Sequence, residues 1–492
     1  MPLRPWSERA SSFVVLALLT ALCAQHRYAL LAESPTPTGV DGYYYALQLR
    51  SIFEHGTLAY RDFPLAFYLM APFALLTDPI VGAKLASAIL GALAILPAYA
   101  IAYRLGRSRM AGLLAAVLVG TSAGGSYLAT EFVKNGIGIT VALFAIWLGL
   151  RACEAPTRGR MIAAAIAVLA AMLTHKLAGA LVLLVAAPAV IATGSERGIL
   201  FGRRLLIAIV SLIAIAVAAL VALGQLGLIT GVLERDAWWS APALVANDVV
   251  VLQMGYEPLF ALLLGLVAAG VLLAKRGASL TRPERCAAWA VVLLAILIGV
   301  PFLDVEDPQG LAMRLRTIAF VPMALCASII VGALNTPLEA VPSIRRVLVA
   351  IAAVAIFTAT PTRRAEGLVV PHPAMISAVL SLTNRVPAGD TVIVPERQVM
   401  FMVPWYTRIA ARLTPTEVPP EHRWRALTAG FIQLGSAFDK QLLAARTEPA
   451  PPVGLHALNP NGFVLLPEKT WEKILARLPP SEHDRAVRWP TI

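Results

Sequence analysis

Charged residues are scarce in this chain, since Asp, Glu, Lys and Arg make up only 14% of the 492 residues, whereas apolar residues make up 58%. A soluble protein has no interior large enough to bury so much apolar surface. The mean hydropathy of +0.73 agrees with this. The composition therefore excludes an ordinary soluble domain and indicates an all-α polytopic membrane protein.

Cysteine is also rare, and the residues present show no CxxC spacing. All of them lie in or at the ends of apolar segments, which argues against a disulfide framework and against a thiolate metal site. We interpret them as small packing residues. They are Cys23, Cys153, Cys286 and Cys326.

Acidic residues are outnumbered, because 41 Lys and Arg face 29 Asp and Glu and give a formal charge of +12. A positive balance of this size raises the question of nucleic-acid binding. The basic residues, however, form short clusters between apolar segments, as the signals that orient membrane spans do. We therefore expect no nucleic-acid partner and expect contact with membrane lipids.

Long apolar runs are abundant, and about 20 apolar residues suffice for a helix to cross a bilayer. The first run, Ser11 to Leu31, is longer than the core of a signal peptide, and no small-residue cleavage site stands out, so we expect it to be retained. About eleven spans are predicted. They lie near 11–31, 82–103, 110–126, 135–151, 161–175, 177–193, 204–224, 256–274, 286–303, 314–334 and 346–360.

The distribution of Lys and Arg predicts the orientation of these spans. With a cytoplasmic N-terminus, the inner loops carry clearly more basic residues than the outer loops before residue 360. This topology places the first outer loop, residues 32–81, on the outer face of the membrane. The high content of Ala, Arg and Leu favours a bacterial inner membrane.

The composition changes from Pro361 onward, where no further span is predicted and prolines are frequent. Strand-like runs occur at 391–394 and 462–466, and a helical pattern follows at 469–478. We therefore expect two domains, a transmembrane domain over 1–360 and a small extracytoplasmic α/β domain over 361–492.

The first outer loop holds two carboxylates, Asp41 and Asp62, among many aromatic residues. Pro64 can begin a helix, Leu65 to Leu76, which is too short to span and which we expect along the outer interface. Each aspartate precedes a helical run, so each also fits the position of a helix N-cap. Ionisable groups near a membrane are costly unless they line a cavity or pathway, so both are candidates for function as well.

Three motifs follow one another in this part of the chain: Asp41–Ala46 (DGYYYA), Asp62–Tyr68 (DFPLAFY) and Ala83–Gly91 (AKLASAILG). The span that contains the third motif ends in a basic turn, Tyr103–Arg107 (YRLGR). Over residues 10 to 195 this order resembles the membrane glycosyltransferases of the GT-C fold that use polyprenyl-phosphate sugars. The resemblance is to the bacterial family of the lipid A aminoarabinose transferase and the protein O-mannosyltransferases.

The resemblance implies transfer of a hexosyl or pentosyl unit, with inversion, from a polyprenyl-phosphate donor to a lipid, polysaccharide or protein acceptor. Such chemistry needs a carboxylate to take the acceptor proton and cations beside the leaving phosphate. It implies that Asp41 is the general base and that Asp62 orients the acceptor or Asp41, or helps to hold a metal. The implied donor-phosphate ligands are Lys134, Arg314, Arg316, His175 and Lys176. The implied acceptor or sugar ligands are Tyr44, Tyr45 and Glu131.

No cofactor is required by this chemistry, and no loop has the ligand spacing of a Ca²⁺ site, so we expect no obligatory metal, while a divalent cation stays open. Each basic candidate also fits a span end that contacts lipid headgroups. The sequence departs from the family at Lys134-Asn135-Gly136, where several members carry an acid. Because of this departure, the alternative that the protein is a non-catalytic, lipid-binding member of the fold stays open.

Two further alternatives belong to other functional classes. A transporter or flippase for lipid-linked glycans predicts inverted repeats and charged or broken helices near the midplane. The sequence shows no repeat, and its ionisable residues lie at span ends. A glycan polymerase or ligase would place its key outer loop late in the chain, whereas here the acidic loop follows the first span.

Overall fold

The computed structural model describes residues 5–196, 256–274, 280–299, 311–338, 373–394, 397–413, 418–419, 422–428, 432–433, 463–464 and 486–489. The chain divides into two compact units. Unit one comprises residues 1–29, 60–72 and 85–363, and unit two comprises residues 30–59, 73–84 and 364–492. The predicted boundary between residues 360 and 361 lies outside the described residues. Residues of the first outer loop fall into the same unit as residues of the C-terminal region.

Helices dominate the described part of the chain. In chain order they are α1 Pro5–Ala32, α2 Gly42–His55, α3 Leu65–Leu76, α4 Pro79–Ala92, α5 Ile95–Gly106, α6 Arg109–Gly120, α7 Ala123–Glu131, α8 Val133–Glu154, α9 Arg158–Thr174, α10 Lys176–Glu196, α11 Glu257–Leu273, α12 Arg282–Gly299, α13 Leu311–Arg316, α14 Phe320–Leu338, α15 Pro373–Ser381 and α16 Arg397–Thr407.

Five of the described helical segments are long and apolar enough to cross a membrane, and the bent pair α6 and α7 makes a sixth if it is one span. The predicted spans at 161–175 and 256–274 correspond to α9 and α11, which have 17 residues each. Those at 204–224 and 346–360 lie outside the described residues. The prediction of a polytopic helical membrane protein is confirmed, and the number eleven stays a prediction. The five segments are Ser12–Ala32, Pro79–Gly106, Val133–Glu154, Lys176–Thr193 and Arg314–Leu334.

Local sequence explains where the short helices begin and end. Helix α3 has the bounds predicted from Pro64 and the apolar run after it. Helix α2 begins at Gly42, directly after Asp41, and so includes the tyrosine run. It ends at Gly56, whose φ of 72° is the left-handed conformation that glycine adopts without strain.

The helices of unit one pack closely because small residues line their contacts. Helix α14 packs against α5, α6 and α11, and α10 packs against α8 and α12. The closest approach is at Gly332 of α14, where a Cβ atom would lie 2.2 Å from the carbonyl oxygen of Gly106. Only a residue without a side chain fits such a contact between helices.

Unit two contains a small parallel sheet. Its strands β1 Thr391–Ile393, β2 Ala410–Arg412, β3 Arg423–Thr428 and β6 Ala486–Trp489 pair in the order β2-β1-β3-β6. A separate antiparallel pair is formed by β4 Ile432–Gln433 and β5 Phe463–Val464. Parallel neighbours need a crossover connection, and α16 provides the one between β1 and β2. The predicted strands at 391–394 and 462–466 are confirmed in part, and the predicted helix at 469–478 lies outside the described residues.

Candidate active site

Asp41 stands at the head of α2 but does not cap it. Its side chain makes no capping hydrogen bond. Instead, Asp41 Oδ1 lies 2.8 Å from Nε of Arg397, the first residue of α16. The side chain of Asp41 is 15% exposed and that of Arg397 is 50% exposed. The capping role that the sequence left open is therefore not the one that this carboxylate adopts.

The tyrosines that follow Asp41 are buried beneath it in unit two. The Tyr43 and Tyr406 hydroxyl groups lie 2.7 Å apart. Burial, together with this hydrogen bond, raises the pKa of Tyr43 above its ordinary value, so its hydroxyl keeps its proton. Tyr44 accepts a hydrogen bond of 3.0 Å from Gln48 Nε2, and its ring packs against that of Tyr45. The predicted contact of Tyr44 and Tyr45 with sugar stays a prediction, since both side chains are buried here.

Two further contacts join α2 to the end of α16. Arg50 donates hydrogen bonds to the carbonyl oxygens of Pro404 and Trp405 at 2.7 and 2.9 Å, and its guanidinium lies over the Trp405 ring. The last carbonyl groups of a helix have no partner within that helix, and a cation there also matches the helix dipole. Glu54 then pairs with Arg408, just beyond α16, at 2.8 Å.

Asp62, the second carboxylate of the loop, belongs to unit one. Its Oδ2 forms an ion pair with Nζ of Lys134 on α8, and its Oδ1 accepts the backbone N–H of Phe63 at 2.7 Å. The side chains of Asp62 and Lys134 are only 15% and 14% exposed. The sequence placed Asp62 with the catalytic residues and Lys134 with the phosphate ligands, and the structure brings the two together.

The other basic candidates also lie in unit one, around the junction of α9 and α10. His175 is buried there, and its Nδ1 accepts the N–H of Leu177 at 3.1 Å, so this nitrogen carries no proton. Lys134, Arg314 and Lys176 lie close enough to His175 to act on it electrostatically. Arg316 is buried in the same unit. The structure thus groups a neutral histidine with three cations that the sequence proposed as phosphate ligands.

Glu131 and Asn135 flank Lys134 in sequence. Glu131 is the last residue of α7 and is buried. Asn135 occupies the position where several members of the resembled family carry an acid. Its side chain is buried, and its Nδ2 has no hydrogen-bond partner within the described residues. The role predicted for Glu131 in acceptor binding stays a prediction.

Sequence reasoning missed two buried ionisable residues of unit one, Glu257 and Arg27. Glu257, at the start of α11, accepts the N–H groups of Ala123 and Gly124 at 2.6 and 2.9 Å, and so caps the N-terminus of α7. Arg27 of α1 lies close enough to Glu257 to act on it electrostatically. A Cβ atom at Gly125 would lie 2.5 Å from Nη2 of Arg27, so this glycine makes room for the guanidinium.

Arg397 and Lys84 were also not among the predicted site residues. No local motif marks Arg397, because its partner Asp41 is remote in sequence. Lys84 was visible as the basic residue of the third motif, and its Nζ donates to the carbonyl oxygen of Ser34 at 2.5 Å. Among the described residues, no group of three or more His, Cys, Asp and Glu side chains could hold a metal ion.

The arrangement of these helices defines the class of the protein. The predominance of helices and the several apolar spans are those of a polytopic membrane protein of the GT-C fold. The chain has this fold and resembles the membrane glycosyltransferases that share it.

Comparison with known proteins gives more particular relatives. Residues 61–223, about a third of the chain, match the family model of dolichyl-phosphate-mannose-protein mannosyltransferase. The matched range contains Asp62, Lys134 and His175, but it begins after Asp41. No curated protein sequence matches the chain.

Solved structures match more of the chain. ArnT from Cupriavidus metallidurans bound to undecaprenyl phosphate is 17% identical, with a TM-score of 0.53 over 89% of this chain and 90% of that one. The Archaeoglobus fulgidus oligosaccharyltransferase in complex with Zn and sulfate is 15% identical, with a TM-score of 0.54 over 80% of this chain. The present chain spans only 62% of the length of that oligosaccharyltransferase. At these identities the likeness shows a shared fold.

Proposed function

We propose that this protein is an integral membrane glycosyltransferase. It would move a hexosyl or pentosyl unit from a polyprenyl-phosphate carrier to an acceptor hydroxyl, with inversion, on the outer face of a bacterial inner membrane. The acceptor is a lipid, a polysaccharide or a protein. The likeness in fold to a protein that binds undecaprenyl phosphate supports this donor class.

The observation that carries the proposal is the state of Asp41. Its carboxylate is paired with an arginine and is not used as a helix cap. In the proposed step, Asp41 takes the proton of the acceptor hydroxyl as the acceptor oxygen attacks the anomeric carbon. The bond from that carbon to the phosphate oxygen breaks, and the polyprenyl phosphate leaves with the electron pair. A positioned carboxylate of this kind accelerates proton transfer by about 10²- to 10⁴-fold.

The basic residues of unit one are the proposed ligands of the leaving phosphate. Lys134, Arg314 and Lys176 lie close enough to the neutral His175 to act on it electrostatically, and a concentration of positive charge stabilises the negative charge that develops on the phosphate. Arg316 is assigned the same role. Asp62 would hold Lys134 in place through their ion pair. Tyr44, Tyr45 and Glu131 are assigned to the sugar or the acceptor, and residues after 360 to acceptor selection.

One feature favours the alternative of a transporter for lipid-linked glycans. The pair α6 and α7 is bent by 42°, and transporters bind anions at the N-termini of broken helices. Here, however, the first N–H groups of α7 already bind the carboxylate of Glu257. A side chain of the protein itself therefore occupies the position at the broken span that a transported anion would need.

The test compares the Asp41→Asn variant with wild type in membrane vesicles that contain a polyprenyl-phosphate sugar with a radiolabelled sugar. We expect the transfer rate to fall by about 10²-fold or more, because Asn cannot take a proton. Donor binding should not change. The matched control is Glu54→Gln, which neutralises another arginine-paired carboxylate on the same helix and should transfer sugar at the wild-type rate.

Two results would contradict the proposal. If Asp41→Asn transfers sugar as fast as Glu54→Gln, Asp41 is not the base. If wild type transfers no sugar from any donor in a panel of polyprenyl-phosphate sugars, the transferase assignment itself fails. Movement of the labelled lipid across the vesicle membrane would then support the transporter.

A further inference from the structure

The partner of Asp41 comes from the C-terminal region of the chain. Arg397 is the first residue of α16, and its Nε meets Asp41 Oδ1 at 2.8 Å. Its guanidinium also lies 5.8 Å from the ring centre of Phe401, one turn further along α16. Within the described residues, Asp41 is its one ion-pair partner.

Three contacts between α2 and α16 run in the same order along both helices, whereas Tyr43 reaches from the head of α2 to Tyr406 near the end of α16. Asp41 meets Arg397, the Tyr44 ring packs 5.0 Å from that of Phe401, and Arg50 binds the carbonyl groups at the end of α16. Because these contacts are spaced along the whole length of α16, they determine its position along α2. These contacts thereby place the guanidinium of Arg397 at the head of α2, next to the carboxylate of Asp41.

The contact between Arg397 and Asp41 is an ion pair and not a hydrogen bond. It joins Nε of the arginine to Oδ1 of the carboxylate, which is a buried atom. Opposite charges at this distance attract each other strongly where water is largely excluded, so the contact favours one orientation of the carboxylate.

Building on the proposed transferase function, we propose that Arg397 is a positioning residue for Asp41. The C-terminal region thereby contributes a residue to the active site. Arg397 holds the Asp41 carboxylate in the rotamer from which it takes the acceptor proton. Misplacing a reacting group by about 1 Å can cost about 10²-fold in rate. Loss of Arg397 should therefore lower kcat and leave the affinity for the donor nearly unchanged.

A purely structural role makes a different prediction. If the two ion pairs of this interface only docked α16 on α2, loss of either would have the same consequence. Arg408 offers the matched comparison, because it pairs with Glu54 at the same distance of 2.8 Å at the other end of the interface. Arg408→Gln removes an ion pair between the same two segments and does not touch Asp41.

The experiment measures kcat and the donor KM in nanodiscs for Arg397→Gln, Arg397→Lys and Arg408→Gln. We expect Arg397→Gln to lower kcat by about 10- to 100-fold with the donor KM within about twofold of wild type. Arg397→Lys, which restores the cation, should recover part of the loss. Arg408→Gln should stay within about twofold of wild type in both constants.

Chemical rescue separates positioning from folding. Arg397 is half exposed, so a free guanidinium ion can enter the space that the Arg397→Ala variant leaves. Millimolar guanidinium should raise the kcat of Arg397→Ala several-fold, and it should not raise that of Asp41→Asn. The thermal unfolding midpoint of every variant is measured in parallel at the same guanidinium concentration.

Several outcomes would overturn this inference. They are wild-type kcat in Arg397→Gln, equal losses in Arg397→Gln and Arg408→Gln, and a loss that neither lysine nor guanidinium recovers. In each case the proposed function still stands if Asp41→Asn has lost transfer. It fails separately if wild type itself transfers no sugar.

Discussion

The two units hold their carboxylates in contrasting ways. In unit one, Glu257 is buried and bound by two backbone N–H groups, and Asp62 pairs with a lysine that is itself only 14% exposed. In unit two, Asp41 pairs with a half-exposed arginine, and Glu54 pairs with an arginine that is 69% exposed. The carboxylates of Asp62 and Asp41 are equally sheltered, at 15% exposed each, and the difference lies in their cations, since Lys134 is 14% exposed and Arg397 is 50% exposed.

This contrast predicts how strongly each ion pair stabilises the fold. Removing one partner of a buried ion pair leaves an uncompensated charge, which is strongly destabilising, whereas exposed pairs contribute little. The Asp41–Arg397 pair lies between these limits, because its carboxylate is sheltered and its cation is half exposed. We therefore expect a substitution of Arg397 to cost less stability than a substitution of Lys134.

The largest effect on stability is expected at Glu257, the buried carboxyl group of unit one. In Glu257→Ala, the buried N–H groups of Ala123 and Gly124 lose their acceptor. We expect the free energy of unfolding to fall by about 2–5 kcal/mol, because each buried N–H group left without an acceptor costs about 1–3 kcal/mol. Reversible unfolding in mixed micelles measures it. Glu257→Gln, which keeps one oxygen acceptor, should lose less, and equal losses would show that the N–H contacts do not matter.

A smaller effect is expected at the Asp62–Lys134 pair. Lys134→Met leaves Asp62 in a mostly buried position without its cation. We expect a loss of about 1–3 kcal/mol, and neutralising both residues in Asp62→Asn/Lys134→Met should recover part of it. A double-mutant cycle on the same unfolding measurement gives the coupling energy. Additive losses would mean that the pair is not coupled. The donor KM of Lys134→Met also tests the proposed phosphate contact.

The smallest effect is expected at the exposed end of the interface. Glu54→Gln breaks the pair with Arg408, whose side chain is largely in solvent. The free energy of unfolding should change by less than about 0.5 kcal/mol, and the change should shrink further at high salt. If Glu54→Gln lowered the free energy of unfolding as much as Lys134→Met does, the ion pairs of the two units would not differ in their contribution to stability.

Local patterns predicted much of the fold. Proline followed by an apolar run marked α3 to the residue, and long apolar runs marked the spans, because both signals depend on neighbours in sequence. The burial of the tyrosines at the head of α2 was not predicted from the sequence. Their burial depends on partners such as Tyr406 and Phe401 that lie far along the chain.

The candidate site also combines residues that the sequence identified with partners that it did not. Asp41, Asp62 and Lys134 were chosen because acids and bases at span ends are costly and the motifs resemble a known family. Their partners were not predictable, because the Asp41–Arg397 and Asp62–Lys134 pairs join residues that only the tertiary fold brings together. Glu257 gave no signal at all, since a single acid before an apolar run also fits an ordinary helix start.

The pairing of α2 with α16 has a consequence for biosynthesis. At about 5–20 residues per second, Asp41 leaves the ribosome roughly 20–70 s before Arg397 does. During this interval the Tyr43 ring, which Trp405 and Tyr406 later cover, has no partner on that side. A nascent chain that stops short of α16 would carry every described helix of unit one yet leave an aromatic surface exposed, which is a feature that quality-control proteases and chaperones can recognise.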